Sequence, residues 1–448
     1  MSFASTLRVV VASVALALAG CASHSDRTVA IRTALDAGQP AEALEHVNEA
    51  LDVSSEKDLP ASVSGDKALL LLDRAMILQG LDKYPISSRD LETADKQIDL
   101  LDLSRNAAHD IGKYLFSDDV GPYKAPAYEK LLINGENIVN YLARGDLNGA
   151  RIEARRLSVM EKYLAESDET ARGLLGPSAY LAGFTFEKSG QIDEALRYYE
   201  EALPGGRFDS LAEPLSRLLA RGSYSSPALR AAAAQTAASA DANADASDGE
   251  ILVVIGYGRV PAKVAKRIPI GLALTYASGA LSPTERDRAN YLAAQGLVTW
   301  VNFPELGPST ISYDRPAFKV DGKVAALDSP VAIDEQARAA WKDAQGAVVA
   351  AAITRMIARV ATGEAVRRST KDGLVGALLS LGVQATLTAT DTPDTRSWQT
   401  LPARLTFGRI RVKPGTHEVD VYARGARKRQ RVTVAAGGFA VVAHTVLR

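Results

Sequence analysis

Residues 189–203, SGQIDEALRYYEEAL, carry the pattern that decides the fold of the first half of the chain. Gly190 ends one apolar-periodic segment, and Ala195, five residues later, lies in the first turns of the next one. Two further pairs have the same spacing: Gly38 and Ala43 in AGQPAEALEHVNEAL (37–51), and Gly145 and Ala150 in RGDLNGARIEARRL (144–157). A glycine permits a tight turn, and a small alanine lets two helices approach closely. The spacing therefore predicts three helical hairpins in which these residues form turns and core. The apolar run of residues 68–80 predicts a further first helix of a pair, with a less typical partner over residues 87–103.

The third hairpin resembles the tetratricopeptide repeat (TPR), a helix–turn–helix unit of 34 residues. The positions that match the repeat are Gly183, Phe186, Gly190, Ala195, Tyr199 and Ala202, followed by Pro204. Because helix-like segments continue from residue 26 to residue 219, we expect residues 21–221 to form a mainly α, TPR-like helical solenoid. Such arrays usually present a groove to a protein partner. The alternative is that the helices simply pack onto the second half of the chain.

The composition changes twice after the helical half. Residues 222–249 are rich in alanine, serine and aspartate, which predicts a flexible linker. The stretch EILVVIGYGRVP then predicts a buried strand and a turn, and residues 334–368 predict one long helix. Alternating segments over residues 404–448 predict four short antiparallel strands in a small β-sheet or a sandwich. Residues 250–448 are therefore expected to form an α+β domain that ends in a small antiparallel β-sheet.

Composition and motifs argue against several kinds of function. The chain has 448 residues and a net charge of −1, so it lacks the basic balance typical of nucleic-acid binding. Its single cysteine excludes an internal disulfide framework and a cysteine zinc cluster. Gly256-x-Gly258 follows a predicted strand, but Pro261 occupies the place of the third glycine of a dinucleotide site. The five histidines lack metal-ligand spacing, and neither H-E-x-x-H nor G-x-S-x-G occurs, so we expect no cofactor, no metal and no enzymatic activity.

The one cysteine, Cys21, follows an apolar run near the N-terminus. Residues 9–19 are uncharged and about half as long as a membrane span. The tetrapeptide that ends at Cys21, LAGC, resembles the lipobox of bacterial lipoproteins. The resemblance implies that residues 1–20 are a cleaved signal peptide and that Cys21 carries the diacylglyceryl and acyl groups of a membrane anchor. Residues 22 and 23 lack the aspartate that retains lipoproteins at the inner membrane of enteric bacteria, so we expect an outer-membrane protein that faces the periplasm.

The stretch DTRSWQTLP (394–402) is the most distinctive motif of the second half. Trp398 offers a large area for burial, and Asp394 and Arg396 are suited to a charge-assisted pair. These residues therefore predict either a structural clasp or a ligand site. Together with the lipobox, the helical first half and the long helix, the stretch resembles a family of uncharacterised bacterial envelope lipoproteins. That resemblance covers nearly the whole chain and implies localisation and architecture rather than a mechanism.

Two further stretches are candidates for contact with the membrane or the cell wall. Residues 373–390, GLVGALLSLGVQATLTAT, carry no charge and predict a buried packing segment or, alternatively, a membrane-touching helix. Arg427, Lys428 and Arg429 lie in a predicted basic hairpin. Such a hairpin either contacts anionic headgroups or wall polymer, or is a solvated turn whose charge protects a sheet edge.

These patterns lead to two hypotheses about function. The first is a lipid-anchored periplasmic scaffold or adaptor that binds a protein partner through its TPR-like helices, in cell-envelope assembly or secretion. The second is an envelope protein that binds or hydrolyses peptidoglycan or another carbohydrate through residues 250–448. The second stays open because a fold can assemble a pair of carboxylates that no sequence motif reveals.

Overall fold

The computed structural model describes residues 23–64, 66–100, 123–165, 175–235, 247–277, 279–294, 300–308, 314–369 and 393–448. Within these ranges the chain forms fourteen α-helices, mostly in the first half, followed by strands in small sheets. A helical first half and a strand-rich second half are thereby confirmed. Three predicted features lie outside the described residues: the signal peptide 1–20, the lipidation site Cys21 and the uncharged stretch 373–390.

The helices of the first half come mostly in pairs, each pair joined by a short turn. They are α1 (His24–Arg27), α2 (Val29–Asp36), α3 (Pro40–Leu51), α4 (Lys67–Gly80), α5 (Tyr84–Asp95), α6 (Ala127–Ala143), α7 (Leu147–Ala165), α8 (Gly176–Lys188), α9 (Ile192–Ala202), α10 (Ala212–Leu219) and α11 (Pro227–Ala233). Between α5 and α6, the two-residue strands β1 (Asp99–Leu100) and β2 (Lys124–Ala125) pair in parallel. The pairs α2/α3, α4/α5, α6/α7 and α8/α9 are helical hairpins whose members pack against each other.

The three glycines of the repeated pattern lie in hairpin turns and share one backbone conformation. Their φ angles are 73° at Gly38, 72° at Gly145 and 75° at Gly190, in the left-handed region that glycine adopts without strain. The residue after each glycine donates its N–H to a carbonyl five positions earlier, as Gln191 does to Phe186 at 3.0 Å. The alanines that follow the glycines by five residues are fully buried: Ala43, Ala150 and Ala195. These glycines and alanines therefore form turns and helix contacts.

A fourth turn of the same geometry joins α4 to α5 without a glycine. Asp82 takes the left-handed position with φ 61°, and Lys83 donates its N–H to the carbonyl of Leu78 at 2.8 Å. Ser87, five residues after Asp82, is fully buried where the other hairpins have alanine. Aspartate is one of the few residues besides glycine that visits this conformation routinely. The pattern of glycine and alanine does not mark this hairpin. Its first helix, α4, lies where the apolar run of residues 68–80 predicted a helix, and its second helix, α5, begins and ends earlier than the predicted partner 87–103.

The second half adds ten strands and three helices within the described ranges. They are β3 (Gly249–Tyr257), β4 (Lys263–Pro269), α12 (Ile270–Ala277), α13 (Pro283–Ala294), β5 (Trp300–Leu306), β6 (Ala317–Val320), β7 (Lys323–Ala325), β8 (Val331–Ala332), α14 (Ile333–Ser369), β9 (Arg404–Val412), β10 (Gly415–Ala423), β11 (Ala426–Val434) and β12 (Phe439–Val446). Helix α14 covers the residues for which one long helix was expected. No helix in the described ranges combines the length and the apolar character needed to cross a membrane.

Eight of these strands form two four-stranded sheets. Sheet one has the order β12-β3-β9-β8, with β12 parallel to β3, and sheet two has the antiparallel order β11-β10-β6-β7. The four C-terminal strands, for which a small antiparallel sheet or a sandwich was predicted, are divided between these two sheets, and β12 is parallel rather than antiparallel to its neighbour β3. They divide because β3, whose nine residues are all buried, needs a partner strand on each edge and a packed layer on each face. Strands β9 and β12 supply the edges, whereas β10 and β11 pair with each other in the covering sheet.

Sheet one lies between the helices of the first half and sheet two. Along β3, Leu252 and Val254 belong to the apolar core that the helices share, whereas Ile251 and Val253 belong to the core between the two sheets. This alternation is the two-residue period of a strand that is buried on both faces. The helical half and the strand-rich half thus meet in one continuous core, as in the alternative in which the helices pack onto the second half.

A separate core lies outside this layered arrangement. The antiparallel pair β4–β5 packs there with α12, α13 and α14 around residues such as Phe303 and Ile353. Part of the stretch 222–249, where a flexible linker was expected, is also ordered. Helix α11 lies within it, and Leu229 of that helix is fully buried in the shared core. One large apolar side chain is therefore enough to dock this short helix.

Candidate functional site

The stretch from residue 393 to residue 402, here called the junction segment, lies inside the protein. Each of its ten residues is buried, although none belongs to a helix or strand. Irregular segments normally run over the surface, because a buried one must find internal partners for its backbone polar groups. The junction segment finds many of these partners on helices of the first half, and it therefore joins the two halves of the chain.

Asp73 of α4 is the main partner of the C-terminal part of the junction segment. Its carboxylate accepts hydrogen bonds from the amide of Gln399 (3.1 Å), from the backbone N–H of Thr400 (3.2 Å) and from the Thr400 hydroxyl (2.8 Å). Asp73 is fully buried, and burial raises the pKa of its carboxyl group. Because three donors surround this carboxylate, it fixes the path of the chain around Thr400.

Glu129 of α6 likewise accepts a hydrogen bond from the junction segment, at Trp398. Its Oε1 atom accepts the Trp398 backbone N–H at 3.2 Å, and its Oε2 atom accepts the Tyr123 hydroxyl at 2.6 Å. Burial raises the pKa of Glu129, and burial together with the charge of Glu129 raises the pKa of the Tyr123 hydroxyl. The two carboxylates of α4 and α6 therefore hold neighbouring residues of one segment.

The predicted ion pair of the DTRSW motif is present and buried. Arg396 donates to Asp394 through Nε (2.9 Å) and Nη2 (2.7 Å), a two-point contact of the kind that guanidinium groups form with carboxylates. Asp66 lies 3.7 Å from Nη1 of Arg396 and 3.0 Å from Nδ1 of His24. Burial would raise the pKa of Asp66, but the hydrogen bond from His24 and the nearby positive charges keep it below its ordinary value. Asp66 thus links Arg396 of the motif to His24 of the first helix.

Trp398 is the largest side chain that the structure buries completely. It belongs to the core shared by the helices and sheet one, and its Nε1 atom has no hydrogen-bond partner among the described residues. The indole therefore contributes buried apolar area and no polar recognition. All three residues singled out in the motif, Asp394, Arg396 and Trp398, contact the protein itself rather than an open site.

The sequence reasoning missed the groups that hold the junction segment from outside. Asp73, Glu129 and Lys263 are far apart in the chain, and Lys263 donates through Nζ to the carbonyl of Arg396 at 2.9 Å. Burial lowers the pKa of this lysine. A usable signal existed only for Asp73, which with Arg74 interrupts the otherwise apolar run ALLLLDRAMIL. Charges inside such a run are rarely buried without partners.

A second group of buried charges joins α8 to sheet one and is here called the charge cluster: Glu187, Lys188, Glu250 and Arg409. Arg409 donates to Glu187 (Nη2 to Oε2, 2.9 Å) and to Glu250 (Nε to Oε1, 2.6 Å). Tyr199, predicted as a repeat position, donates its hydroxyl to Glu187 at 2.6 Å and is fully buried. Its ring also explains Gly183, where an added Cβ atom would lie 2.5 Å from Cδ1 of Tyr199.

The three basic residues of the β10–β11 hairpin have partners within the protein. Arg427 and Arg429 both reach Asp420, with Nε to Oδ1 distances of 2.9 Å. Lys428 contacts Asp82 in the α4–α5 turn and donates to the carbonyl of Ala443 at 2.7 Å. The hairpin is therefore attached to the first half through Lys428, while the two arginine side chains are about half exposed.

A cavity with a volume of about 670 Å³ lies beside the first helix. It is lined by α1 and α2, by α3 and by the start of α4, and its polar side chains include His24, Arg27, Ser64, Asp66 and Lys67. No group of three or more histidine, cysteine, aspartate or glutamate residues in the described part of the chain could hold a metal ion. No family model, no curated protein and no solved structure matches the chain.

Proposed function

We propose that the protein is a lipid-anchored scaffold or adaptor of the bacterial cell envelope, without enzymatic activity. In this proposal Cys21 is acylated and attaches the protein to the outer membrane, facing the periplasm. The four helical hairpins act as a TPR-like solenoid that binds a protein partner in envelope assembly or secretion. The proposal includes membership of the uncharacterised lipoprotein family whose motif is D-T-R-S-W-x-T-L-P.

The observation that carries the proposal is an exposed apolar pair on α7. Ile152 is 53% exposed and Val159 is 70% exposed. Residues seven apart lie on the same face of a helix, so the two side chains form one stripe along α7. Arg155 and Arg156 are exposed between them. Apolar side chains flanked by arginine are typical of surfaces that bind proteins.

The inner side of the helices is not available to a partner. The core that the helices line includes Leu252, Phe407 and Val441 of sheet one and Trp398 of the junction segment. A partner of the TPR-like half therefore has to bind an outer surface. The stripe on α7 offers such a surface. The side chains of the DTRSW motif and of the charge cluster instead contact other residues inside the protein.

The double variant Ile152→Glu with Val159→Glu tests this proposal. Chemical crosslinking in native membranes, followed by purification and mass spectrometry, should recover one stoichiometric partner with the natural protein and lose it with the variant. Val324→Glu is the matched control, because Val324 is 73% exposed in the β6–β7 hairpin of sheet two. Equal recovery of the partner with the double variant and the control would overturn the proposed surface. Thermal unfolding of all three proteins checks that the fold is kept.

A further inference from the structure

Helix α1 begins with an N-cap at Ser23, the first residue that the structure describes. Ser23 caps α1: its backbone N–H donates to Oδ2 of Asp26 at 3.0 Å, and the Asp26 N–H donates back to the Ser23 hydroxyl at 3.3 Å. This reciprocal arrangement is a capping box, which fixes the direction in which the chain enters a helix. The backbone at residue 23 therefore has a defined position.

Helix α1 is in turn fastened to the body of the protein. Ser23, His24 and Ser25 are all buried. The Ser25 backbone N–H donates to the hydroxyl of Thr395 in the junction segment at 3.0 Å, and His24 pairs with Asp66 at 3.0 Å. Residue 23 cannot leave the surface of the body unless these buried hydrogen bonds break.

Only two residue steps separate Cys21 from this fixed point. Consecutive Cα atoms are about 3.8 Å apart, so the Cα atoms of Cys21 and Ser23 lie at most about 7.6 Å apart whatever the conformation between them. An acylated Cys21 must place its chains in the bilayer, because their burial supplies the anchoring energy. We infer that the exposed face of α1 and α2 rests on the membrane leaflet that holds the anchor. The inference rests on the proposed acylation of Cys21.

The side chains that would meet the leaflet are known from the structure. On the outward side of α1 and α2, Arg27, Val29, Ala30 and Thr33 are exposed, and Val29 is 53% exposed. An apolar side chain beside a cation suits the boundary between headgroups and acyl chains. The cavity beside α1 is lined by Arg27 and Ala30, so it lies at the edge of the same face. The protein is therefore held in one orientation on the membrane, because the connection between Cys21 and Ser23 is too short to let the body turn freely.

Val324 in sheet two provides the comparison position outside α1 and α2. Strand β7, which carries Val324, is the edge of sheet two opposite to β11. Strand β11 is the one whose Lys428 reaches the helical half, and neighbouring strands lie about 4.8 Å apart. Sheet one also separates sheet two from the helices of the first half. Val324 is 73% exposed, more than Val29 at 53%, and it belongs to the strand of sheet two that is furthest from β11.

The test uses the absence of any cysteine other than Cys21 in the natural chain. In the lipidated full-length protein, Val29→Cys, Thr33→Cys and Val324→Cys each provide the only free thiol for a fluorescent label. The three proteins are reconstituted into phosphatidylglycerol/phosphatidylethanolamine vesicles that contain a lipid with a nitroxide on its headgroup. We expect several-fold stronger quenching at positions 29 and 33 than at position 324. A Gly/Ser linker of about ten residues inserted between residues 22 and 23, which spans about 17 Å on average, should remove this difference.

Two outcomes are distinguished in the same samples. Mass spectrometry of the N-terminal peptide shows whether Cys21 is acylated. If Cys21 is acylated and the three positions are quenched equally, the membrane-facing surface is wrong while the anchor stands. If Cys21 carries no lipid, the proposed anchoring itself is wrong. Because all three labelled residues are exposed, the substitutions leave the core untouched.

Discussion

Arg409 of β9 and Glu187 of α8 form an ion pair inside the protein, with Nη2 and Oε2 2.9 Å apart. Both side chains are almost completely buried. Burial would raise the pKa of Glu187, but the charges of Arg409 and Lys188 hold it well below its usual range. Arg409 also satisfies Glu250 of β3, so one guanidinium group links the helical half to two strands of sheet one.

The variant Arg409→Met should therefore be strongly destabilised. It leaves Glu187 and Glu250 buried with Lys188 as the remaining cation of the charge cluster, and breaking a buried ion pair costs about 3–5 kcal/mol. Urea unfolding at pH 7 measures the loss. The matched control is Arg207→Met, which removes an exposed pair with Asp209 and should change the free energy of unfolding far less than Arg409→Met does. Similar losses in the two variants would contradict the role given to Arg409.

The same pair predicts a pH dependence with a definite sign. A carboxyl group whose pKa is lowered by folding adds stability above its unfolded pKa of about 4.3, and that stability is lost as the pH falls through the folded value. The stability difference between the natural protein and Arg409→Met should therefore shrink as the pH is lowered below about 4. Urea titrations between pH 3 and pH 7 test this; a difference that stays constant would argue against the ion pair.

Glu136 of α6 should produce a pH dependence of the opposite sign. Burial raises the pKa of this group to about 7, and its side-chain hydrogen bond comes from Gln79 at 3.2 Å. A raised carboxyl pKa means that the folded state holds a proton that the unfolded state releases, so stability falls as the pH rises from about 4.5 to 7. Glu136→Gln keeps an acceptor for Gln79 and cannot ionise. It should be more stable than the natural protein above pH 7 by about 3 kcal/mol, from 1.36 kcal/mol per pKa unit.

The Glu136 prediction is checked by the difference between two curves. Other buried carboxyl groups, such as Asp328 with its pKa raised to about 6, contribute to both proteins equally. The urea midpoint of the variant minus that of the natural protein should therefore rise between pH 5 and pH 8. A flat difference would show that Glu136 ionises in the folded protein as easily as in water.

Gly190 should be sensitive to alanine for a purely conformational reason. An added Cβ atom would meet no other atom within 4 Å, but the residue has a φ of 75°. The left-handed conformation costs an alanine about 1 kcal/mol, so Gly190→Ala should lose about that much stability. Gly346, inside α14, is the control: its added Cβ atom would make an ordinary contact at 3.4 Å, and Gly346→Ala should gain about 0.5–1 kcal/mol. Effects of equal sign in the two variants would contradict the assignment of Gly190 to a turn in the left-handed conformation.

Trp398 should matter through its volume alone. Trp398→Ala is expected to cost about 3–5 kcal/mol, because it removes a fully buried side chain between the helices and sheet one. Trp398→Phe should cost much less, since the indole Nε1 atom has no hydrogen-bond partner to lose. Thermal unfolding of the two variants distinguishes them. A large loss with phenylalanine would instead indicate polar recognition by the indole.

Helices, strands and turns were predictable from the sequence because they depend on the spacing of apolar residues and glycines within short stretches of the chain. The turn glycines, the long helix α14 and the four C-terminal strands follow from spacings of a few residues. The pairing of β12 with β3 does not, because parallel pairing brings together strands that are distant in the chain. The fourth hairpin was predicted only from its apolar run 68–80, and the bounds of its second helix were wrong, because an aspartate, Asp82, takes the place of glycine in its turn.

The candidate site was only partly predictable for a related reason. Asp394 and Arg396 are only two positions apart in the sequence, so residue chemistry alone predicted their pair. The partners Asp73 and Glu129 belong to helices whose contact with the junction segment depends on the whole fold. A carboxylate in an apolar helix signals that some donor must face it, but the sequence does not say which one.

The parallel pairing of β12 with β3 also sets the order of events that the proposed export and anchoring require. Val441 and Ala443 of β12 belong to the same core as α4 and α6, so that core is incomplete until the final strand is present. The docking site of α1, at Thr395, is likewise supplied late in the chain. In the proposed export, the N-terminal end is the first to reach the processing enzymes, at a time when α1 has nothing to dock on. Under that proposal, signal cleavage and acylation precede docking, and the body closes onto the membrane after its anchor is in place.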